Sequence, residues 1–152
     1  MPALDVRPCT WIAEAPIRTE RSLLVRAEPD AVFARLADTA GWADWFPGIR
    51  RATGDTELGV GGHRSVWVGP ARVDEEFVAW EPGRQFGFAV VRAPFPGTRA
   101  LVEDWSLAPA AGGTEVTYRI GTEMWGPRLP LSPVLGRAAQ MGLRALRKSF
   151  AA

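Results

Sequence analysis

The sequence predicts an α+β protein in which a curved antiparallel sheet of about seven strands wraps around one long C-terminal helix. Three observations support this fold class. A short apolar strand over residues 17–27 runs directly into two short helical segments over 28–46. Residues 49–124 then contain only short strands separated by turn residues, and residues 132–150 form a long amphipathic helix. A helix of this length is only marginally stable alone in water, and the curved sheet is its only apolar partner.

Length and composition limit the organisation and the location of the protein. A chain of 152 residues is long enough for one domain with a sizeable core. Residues 1–16 carry three prolines and no clean periodicity, so we expect an N-terminal arm there and a single domain over 17–152. The sequence has neither a secretory signal pattern nor an apolar run of membrane-spanning length. It therefore predicts a cytoplasmic protein with no integral membrane segment.

Net charge and the content of cysteine and histidine limit the kinds of partner, metal and cofactor that we expect. The 18 basic and 17 acidic residues give a net charge of +1, so the sequence has no global electrostatic footprint for nucleic acid. Cys9 is the only cysteine, His63 is the only histidine, and neither belongs to a group with metal-ligand spacing. We expect no cofactor, no metal and no nucleic-acid partner, and either a monomer or a homodimer.

Two short helices follow the first strand. Pro29 is tolerated in a first helical turn and starts the first helix, with Glu28 or Asp30 as its cap. The second helix is a short segment whose apolar side carries two tryptophans and a phenylalanine, and Pro47-Gly48 ends it. We assign both tryptophans, Trp42 and Trp45, to the core or to a pocket wall.

Six further strands are predicted from turn residues and alternation. Glycine and proline pairs divide the middle of the chain into strands near 49–56, 62–69, 71–80, 84–92, 98–108 and 114–124. The connections between them are too short for a crossover, so neighbouring strands must be antiparallel.

The final helix has the clearest pattern. Ser132 is predicted as its N-cap and Pro133 as its first helical residue. On a helical projection one half carries small and aliphatic side chains together with one aromatic ring, at Val134, Leu135, Ala138, Ala139, Gly142, Leu143, Ala145, Leu146 and Phe150. The other half is polar and mostly basic. An apolar arc of this width indicates a helix that is covered on one side only.

Several short motifs resemble one protein family. They are VRAEPDAVF over 25–33, LADTAGWADW over 36–45 with Pro47, WEPGR over 80–84, and GTEVTY over 113–118. With the order of the elements, these motifs make about residues 17–150 similar to the helix-grip fold of the START-like, birch-pollen-allergen-like superfamily (SRPBCC). Within it, the chain resembles the polyketide cyclase/dehydrase and lipid-transport family. The resemblance implies a cavity between the sheet and the C-terminal helix.

The same resemblance implies a class of function. The family includes aromatase/cyclases acting on poly-β-keto chains as well as lipid carriers, so we expect binding, or transport, of a hydrophobic or amphipathic small molecule that is lipid-like or polyketide-like. One alternative is a polyketide aromatase/cyclase or dehydratase. Another is a ligand-free interaction or regulatory module, because the seven tryptophans and seven phenylalanines could fill the core. Fold alone does not choose between these functions.

Strand alternation selects two acidic residues. On the strand over 71–80, Glu75 lies on the more apolar face, where a buried carboxylate needs a partner or a raised pKa. The alternative is that Glu75 lies near a sheet edge and pairs with an arginine. On the strand over 98–108 we select Asp104, although the two faces are almost equally apolar and a shift of one residue would exchange it for Glu103.

Tyr118, the only tyrosine, completes the candidate catalytic set of Glu75, Asp104 and Tyr118. It lies on the apolar face of the last strand and can donate its hydroxyl hydrogen to a ligand carbonyl, or else serve as a core ring. The predicted ligand-binding set combines these three with apolar neighbours: Trp67, Glu75, Phe77, Phe86, Phe88, Val102, Asp104, Tyr118, Ile120, Leu135, Ala139, Gly142 and Leu146. Gly142 is included because a small residue on the inner helix face can leave room for a ligand.

Overall fold

The computed structural model describes residues 2–126 and 130–151. The strands in this part of the chain are β1 (Ile17–Val25), β2 (Ile49–Gly54), β3 (His63–Val68), β4 (Ala71–Glu81), β5 (Gln85–Arg92), β6 (Thr98–Ala110) and β7 (Gly113–Met124). The helices are an N-terminal 3₁₀ helix (Cys9–Glu14), α1 (Pro29–Ala37), α2 (Trp42–Trp45) and α3 (Ser132–Ser149). No helix within the described residues is both long enough and apolar enough to cross a bilayer.

The strands form one antiparallel sheet in the order β1-β7-β6-β5-β4-β3-β2. The predicted fold class, a curved antiparallel sheet with a long C-terminal helix and two short helices after the first strand, is confirmed. Helix α3 packs mainly against β1 and β7, while α1 contacts β5, β6 and β7 on the same face. We call the face covered by these helices the inner face and the opposite one the outer face.

Tight turns fix the strand register. Gly69-Pro70 joins β3 to β4 with Val68 paired to Ala71, and the positive φ of 57° at Gly69 is readily adopted by glycine. From this turn the pairing runs without a bulge to Arg64 opposite Glu75. The turn therefore places an arginine beside a glutamate on the inner face.

Helix α3 presents the predicted apolar side to the sheet. Ala139, Leu143 and Leu146 are fully buried, and the arginines on the opposite side are exposed. Three details differ from the prediction. Val134 is 61% exposed and Ala138 is exposed as well, although both were placed on the apolar side. The residue at the N-cap is Leu131, with no side-chain hydrogen bond.

Gly142 brings α3 close to its neighbours. A Cβ atom at this position would lie 3.1 Å from the Phe46 ring and 3.2 Å from the Tyr118 ring. The glycine therefore provides close packing between helix, sheet and α2, and the space beside it is occupied by aromatic side chains.

The segment predicted as an arm is packed against the sheet. The Leu4 amide donates to the Val91 carbonyl at 2.9 Å and the Asp5 amide donates to the Arg99 carbonyl at 2.8 Å. These bonds hold the chain between β5 and β6 beyond the point where the two strands stop pairing. The 3₁₀ helix then covers the outer face and buries Ile12. Short irregular segments of this kind have no periodicity that a sequence pattern could detect.

Candidate functional site

A buried ion pair lies on the inner face of the sheet. The Arg64 Nε–H donates to Glu75 Oε1 at 2.5 Å, and the two residues are only 2% and 4% exposed. Burial raises the pKa of Glu75, and the arginine opposes this effect without overcoming it. Such a pair is costly to desolvate and is stabilised only while both members are present.

Aromatic rings surround the Arg64 guanidinium. Its Cζ lies 4.2 Å from the centroid of the Trp42 ring and 4.6 Å from that of Phe88. These distances are typical of cation–π contacts. Among the described residues, Arg64 Nη1 is buried and has no hydrogen-bond partner. A buried donor of this kind is available to an acceptor that the chain does not supply.

A second pair lies beside the first. Tyr118 donates its hydroxyl hydrogen to Glu103 Oε1, and its ring stacks on Trp105 with centroids 3.8 Å apart. Burial, followed by the nearby Glu75 carboxylate, raises the pKa of Glu103 to about 7. The residue as a whole is half-buried, while its carboxyl group faces the interior. Burial and the Glu103 carboxylate also raise the pKa of Tyr118 well above its usual value.

Together these four polar residues form what we call the inner cluster: Arg64, Glu75, Glu103 and Tyr118. A carboxyl group with a pKa near 7 can either donate or accept a proton at neutral pH. The unpaired Arg64 Nη1 can donate a hydrogen bond to a carbonyl or hydroxyl oxygen. Trp105 Nε1 is a second buried donor without a partner within the described residues. The arrangement is suited to holding a polar oxygen within aromatic walls.

Most residues of the predicted ligand-binding set lie on the inner side. Glu75, Phe77, Phe86, Phe88, Tyr118 and Ile120 lie on the inner face of the sheet, and Leu135, Ala139, Gly142 and Leu146 face it from α3. Their role in binding stays a prediction. The space among them is filled largely by the rings of Trp42, Trp45 and Phe46.

The placement of Asp104 and Val102 on the inner face was wrong. Both lie on the outer face, where Val102 packs under Ile12 of the 3₁₀ helix. Asp104 accepts hydrogen bonds from Gln85 at 2.9 Å and, among others, from Arg119 at 3.2 Å. Both faces of β6 are buried, one by the core and one by the 3₁₀ helix, so alternation could not distinguish them.

Trp67 was also placed on the wrong face. It lies on the outer side of β3, with the Arg51 and Arg72 guanidinium groups 4.8 Å and 5.6 Å from its ring centroid. The inner side of β3 carries Val66 and Arg64 instead. An arginine is normally expected in solvent unless its partner is known. His63 lies on the outer side too, half-exposed, with Nε2 3.2 Å from Glu76 Oε1.

Sequence reasoning missed Arg64 as an inner residue and did not select Glu103. A signal for Arg64 was present, because counting back from the Gly69-Pro70 turn pairs it directly with Glu75. A similar signal existed for Glu103. Counting back from the Gly112-Gly113 turn pairs Trp105 with Tyr118 and places Glu103 two residues further along the same face, without an intervening bulge.

A separate groove of about 1130 Å³ lies outside the inner cluster. The outer-face residues Cys9, Gln85, Asp104, Ser106 and Arg119 contribute to its lining. Burial, followed by the charge of Asp104, raises the pKa of Cys9 to about 12, so the thiol is a poor nucleophile. Within the described part of the chain, no three His, Cys, Asp or Glu side chains converge to hold a metal ion.

Comparison with solved structures identifies the fold. A START superfamily protein from Mycobacterium smegmatis superimposes with a TM-score of 0.74 at 12% identity, over 88% of this chain and 96% of that one. Ara h 8.0201 gives 0.72 at 14% identity, over 88% and 96%. The Zhui aromatase/cyclase from Streptomyces sp. R1128 gives 0.67 at 20% identity, over 87% and 92%. These similarities establish that the chain has the helix-grip fold.

Sequence comparison then identifies the family. Residues 16–151 match the family described as polyketide cyclase / dehydrase and lipid transport, and the chain belongs to it. An uncharacterized protein of Mycobacterium tuberculosis is 28% identical over 141 residues, which cover 88% of this chain and 84% of that protein. An uncharacterized protein of Mycobacterium bovis gives the same values. The family resemblance inferred from the sequence motifs is therefore confirmed.

Proposed function

We propose that this protein binds a hydrophobic small molecule that carries a carbonyl or hydroxyl oxygen, and that the oxygen is held at the inner cluster. The observation that carries this proposal is the buried Arg64 Nη1, which has no hydrogen-bond partner among the described residues. Leaving such a donor unsatisfied costs free energy, and a ligand oxygen would recover it. The family's printed description and its aromatase/cyclase structural neighbour are consistent with ligands of this type.

The route into the interior passes the segment that begins with α2. Trp45 and Phe46 are only half-buried, whereas Trp42 beneath them is 1% exposed. This helix has only four residues and the chain leaves it through Pro47-Gly48, so few backbone hydrogen bonds oppose its displacement. A planar or aliphatic ligand would replace the Trp45 and Phe46 rings above Trp105 and Tyr118.

Binding can be tested with a panel of apolar fluorescent probes, followed by displacement with lipids and polyphenols. We expect at least one probe to bind and to lose affinity in Arg64→Met and Tyr118→Phe. Asp104→Asn is the matched control, because Asp104 follows Glu103 directly but lies on the opposite face. If no probe binds to the wild-type protein, the ligand-free interaction module becomes the better description.

A catalytic role as an aromatase/cyclase or dehydratase is the second candidate. It is favoured by Glu103, whose pKa of about 7 suits a general acid or base acting on a reactive keto chain. We expect Glu103→Gln to change the product distribution from a poly-β-keto analogue, and Asp104→Asn to leave it unchanged. Identical products from wild type, Glu103→Gln, Glu75→Gln and Tyr118→Phe would remove the inner cluster from any such chemistry.

A further inference from the structure

A second groove, which shares no residue with the inner cluster, lies between the end of β1 and the last turn of α3. Its volume is about 930 Å³. Four cations line it together with two apolar side chains: Arg26, Arg144, Arg147, Lys148, Leu24 and Phe150. Leu24 is 39% exposed, so its side chain is accessible to a ligand in this groove. We call this feature the basic groove.

The cations of the basic groove are not neutralised within the described part of the chain. None of the four forms an ion pair there. Helix α3 contains no acidic residue in its whole length. Glu115 lies opposite Leu24 across the β1–β7 pairing but makes no ion pair with these cations. Arg144 precedes Arg147 by three residues and Lys148 by four on the same helix, and like charges at these spacings repel.

The helix C-terminus accounts for only part of this accumulation of charge. Arg147 and Lys148 lie in the last turn of α3, where the helix dipole favours cations. The hydrogen bond to the Ser149 carbonyl there comes from Arg35 of α1, whose Nη1 donates at 2.9 Å, and the Arg35 guanidinium lies 3.9 Å from the centroid of the Phe150 ring. Arg26 and Arg144 lie outside the last turn and form no ion pair among the described residues, which points to an external anion.

We propose that the basic groove binds a free, single-chain anionic amphiphile. A carboxylate or phosphate head group would lie among Arg144, Arg147 and Lys148, and the alkyl tail would follow Leu24 and Phe150. Small-molecule sites commonly measure roughly 300–1,000 Å³, so the volume suits one chain. A concave site with an apolar floor fits a single molecule better than a flat bilayer. This proposal does not rest on the function assigned to the inner cluster.

The head group can be tested with dodecyl phosphate, kept below its micelle concentration and titrated into isotopically labelled protein. We expect amide shifts at the end of β1 and in the last turn of α3. The triple variant Arg144→Gln/Arg147→Gln/Lys148→Gln should bind about tenfold more weakly, and high salt should weaken binding by the wild type. Arg137→Gln, an exposed cation on α3 outside the groove, should change nothing. Equal loss in Arg137→Gln, or none in the triple variant, would overturn the proposal.

The contribution of the alkyl tail and the source of the anionic ligand are tested by separate measurements. Leu24→Ala should weaken dodecyl phosphate binding, whereas Met141→Ala, an exposed apolar control on α3, should not. Inorganic phosphate and dodecyl maltoside should each bind far more weakly than dodecyl phosphate. Equal binding of either one would overturn the proposal, as would binding to anionic vesicles without binding to the monomer. Shifts confined to Glu103 and Tyr118 would reject the basic groove while supporting the inner cluster.

Discussion

Glu103 and Asp104 are adjacent carboxylates with opposite surroundings. Glu103 points to the inner face, where one neutral donor, the Tyr118 hydroxyl, reaches it. Asp104 points to the outer face and is 3% exposed, yet Gln85, Ser106 and Arg119 all donate to it. The difference lies in the donors and not in depth. Burial and the nearby Glu75 carboxylate raise the pKa of Glu103, and its single neutral donor opposes this effect only in part.

The arginines on the two faces, Arg64 inside and Arg119 outside, differ in the same way. Arg64 is almost completely buried and its charge is balanced by Glu75 alone, although Glu103 lies nearby. The Arg119 side chain is 38% exposed and is shared between Glu20 and Asp104. At the inner face, the free-energy cost of burying charge thus falls on a few groups. At the outer face, the charged groups form a network that is in contact with water.

The largest change in stability is expected when each of these two arginines is replaced by an uncharged residue. We expect Arg64→Met to lower the free energy of unfolding by about 3–5 kcal/mol, because Glu75 is left buried without its cation. Arg119→Met should cost only about 1 kcal/mol, since it breaks partly exposed ion pairs. Urea denaturation measures both. Similar losses for the two variants would show that the faces do not differ in this way.

The pH dependence of stability is the second test. The folded pKa of Glu103, about 7, exceeds the ordinary value of 4.5, so the folded protein binds the proton more tightly than the unfolded chain does. The stabilisation is complete below about pH 4.5 and is lost as the pH rises through 7, by about 3 kcal/mol in all. Glu75, whose pKa is also raised, contributes in the same direction. Glu103→Gln should flatten much of this slope, which urea denaturation at a series of pH values would measure.

A third test, Tyr118→Phe, removes the hydroxyl group that donates to Glu103. The substitution removes the only hydrogen bond to the Glu103 carboxyl group among the described residues, at a cost of about 2 kcal/mol. Because that bond lowers the pKa of Glu103, its loss should raise the pKa above about 7. Carboxyl NMR titration would detect the change. An unchanged pKa would mean that the hydroxyl does not contact Glu103 in solution.

The smallest effect is expected on the outer face. Ser106→Ala removes one of the donors to Asp104 but leaves Gln85 and Arg119 in place. We expect a loss of about 0.5 kcal/mol in urea denaturation, at the low end for a hydrogen bond. A loss as large as that of Tyr118→Phe would indicate that Asp104 depends on each donor separately.

The sequence was informative where a pattern follows directly from geometry. Strand bounds, short helices and the apolar side of α3 could all be predicted from turn residues and periodicity. The orientation of β6 could not, since burial under the 3₁₀ helix makes both of its faces apolar. The inner cluster was predicted in part: Glu75 and Tyr118 were recognised by alternation, whereas Arg64 and Glu103 required the register of paired strands.

The docking of residues 3–5 between β5 and β6 also has a consequence for the order of folding. Ribosomes release a chain from its N-terminus, so these residues emerge long before the strands that receive them. β1 must likewise wait for β7, its only strand partner among the described residues. Contacts between distant parts of a chain slow folding. Assembly of the sheet therefore cannot proceed strand by strand during synthesis, and residues 3–5 can reach their final positions only after β5 and β6 have been made.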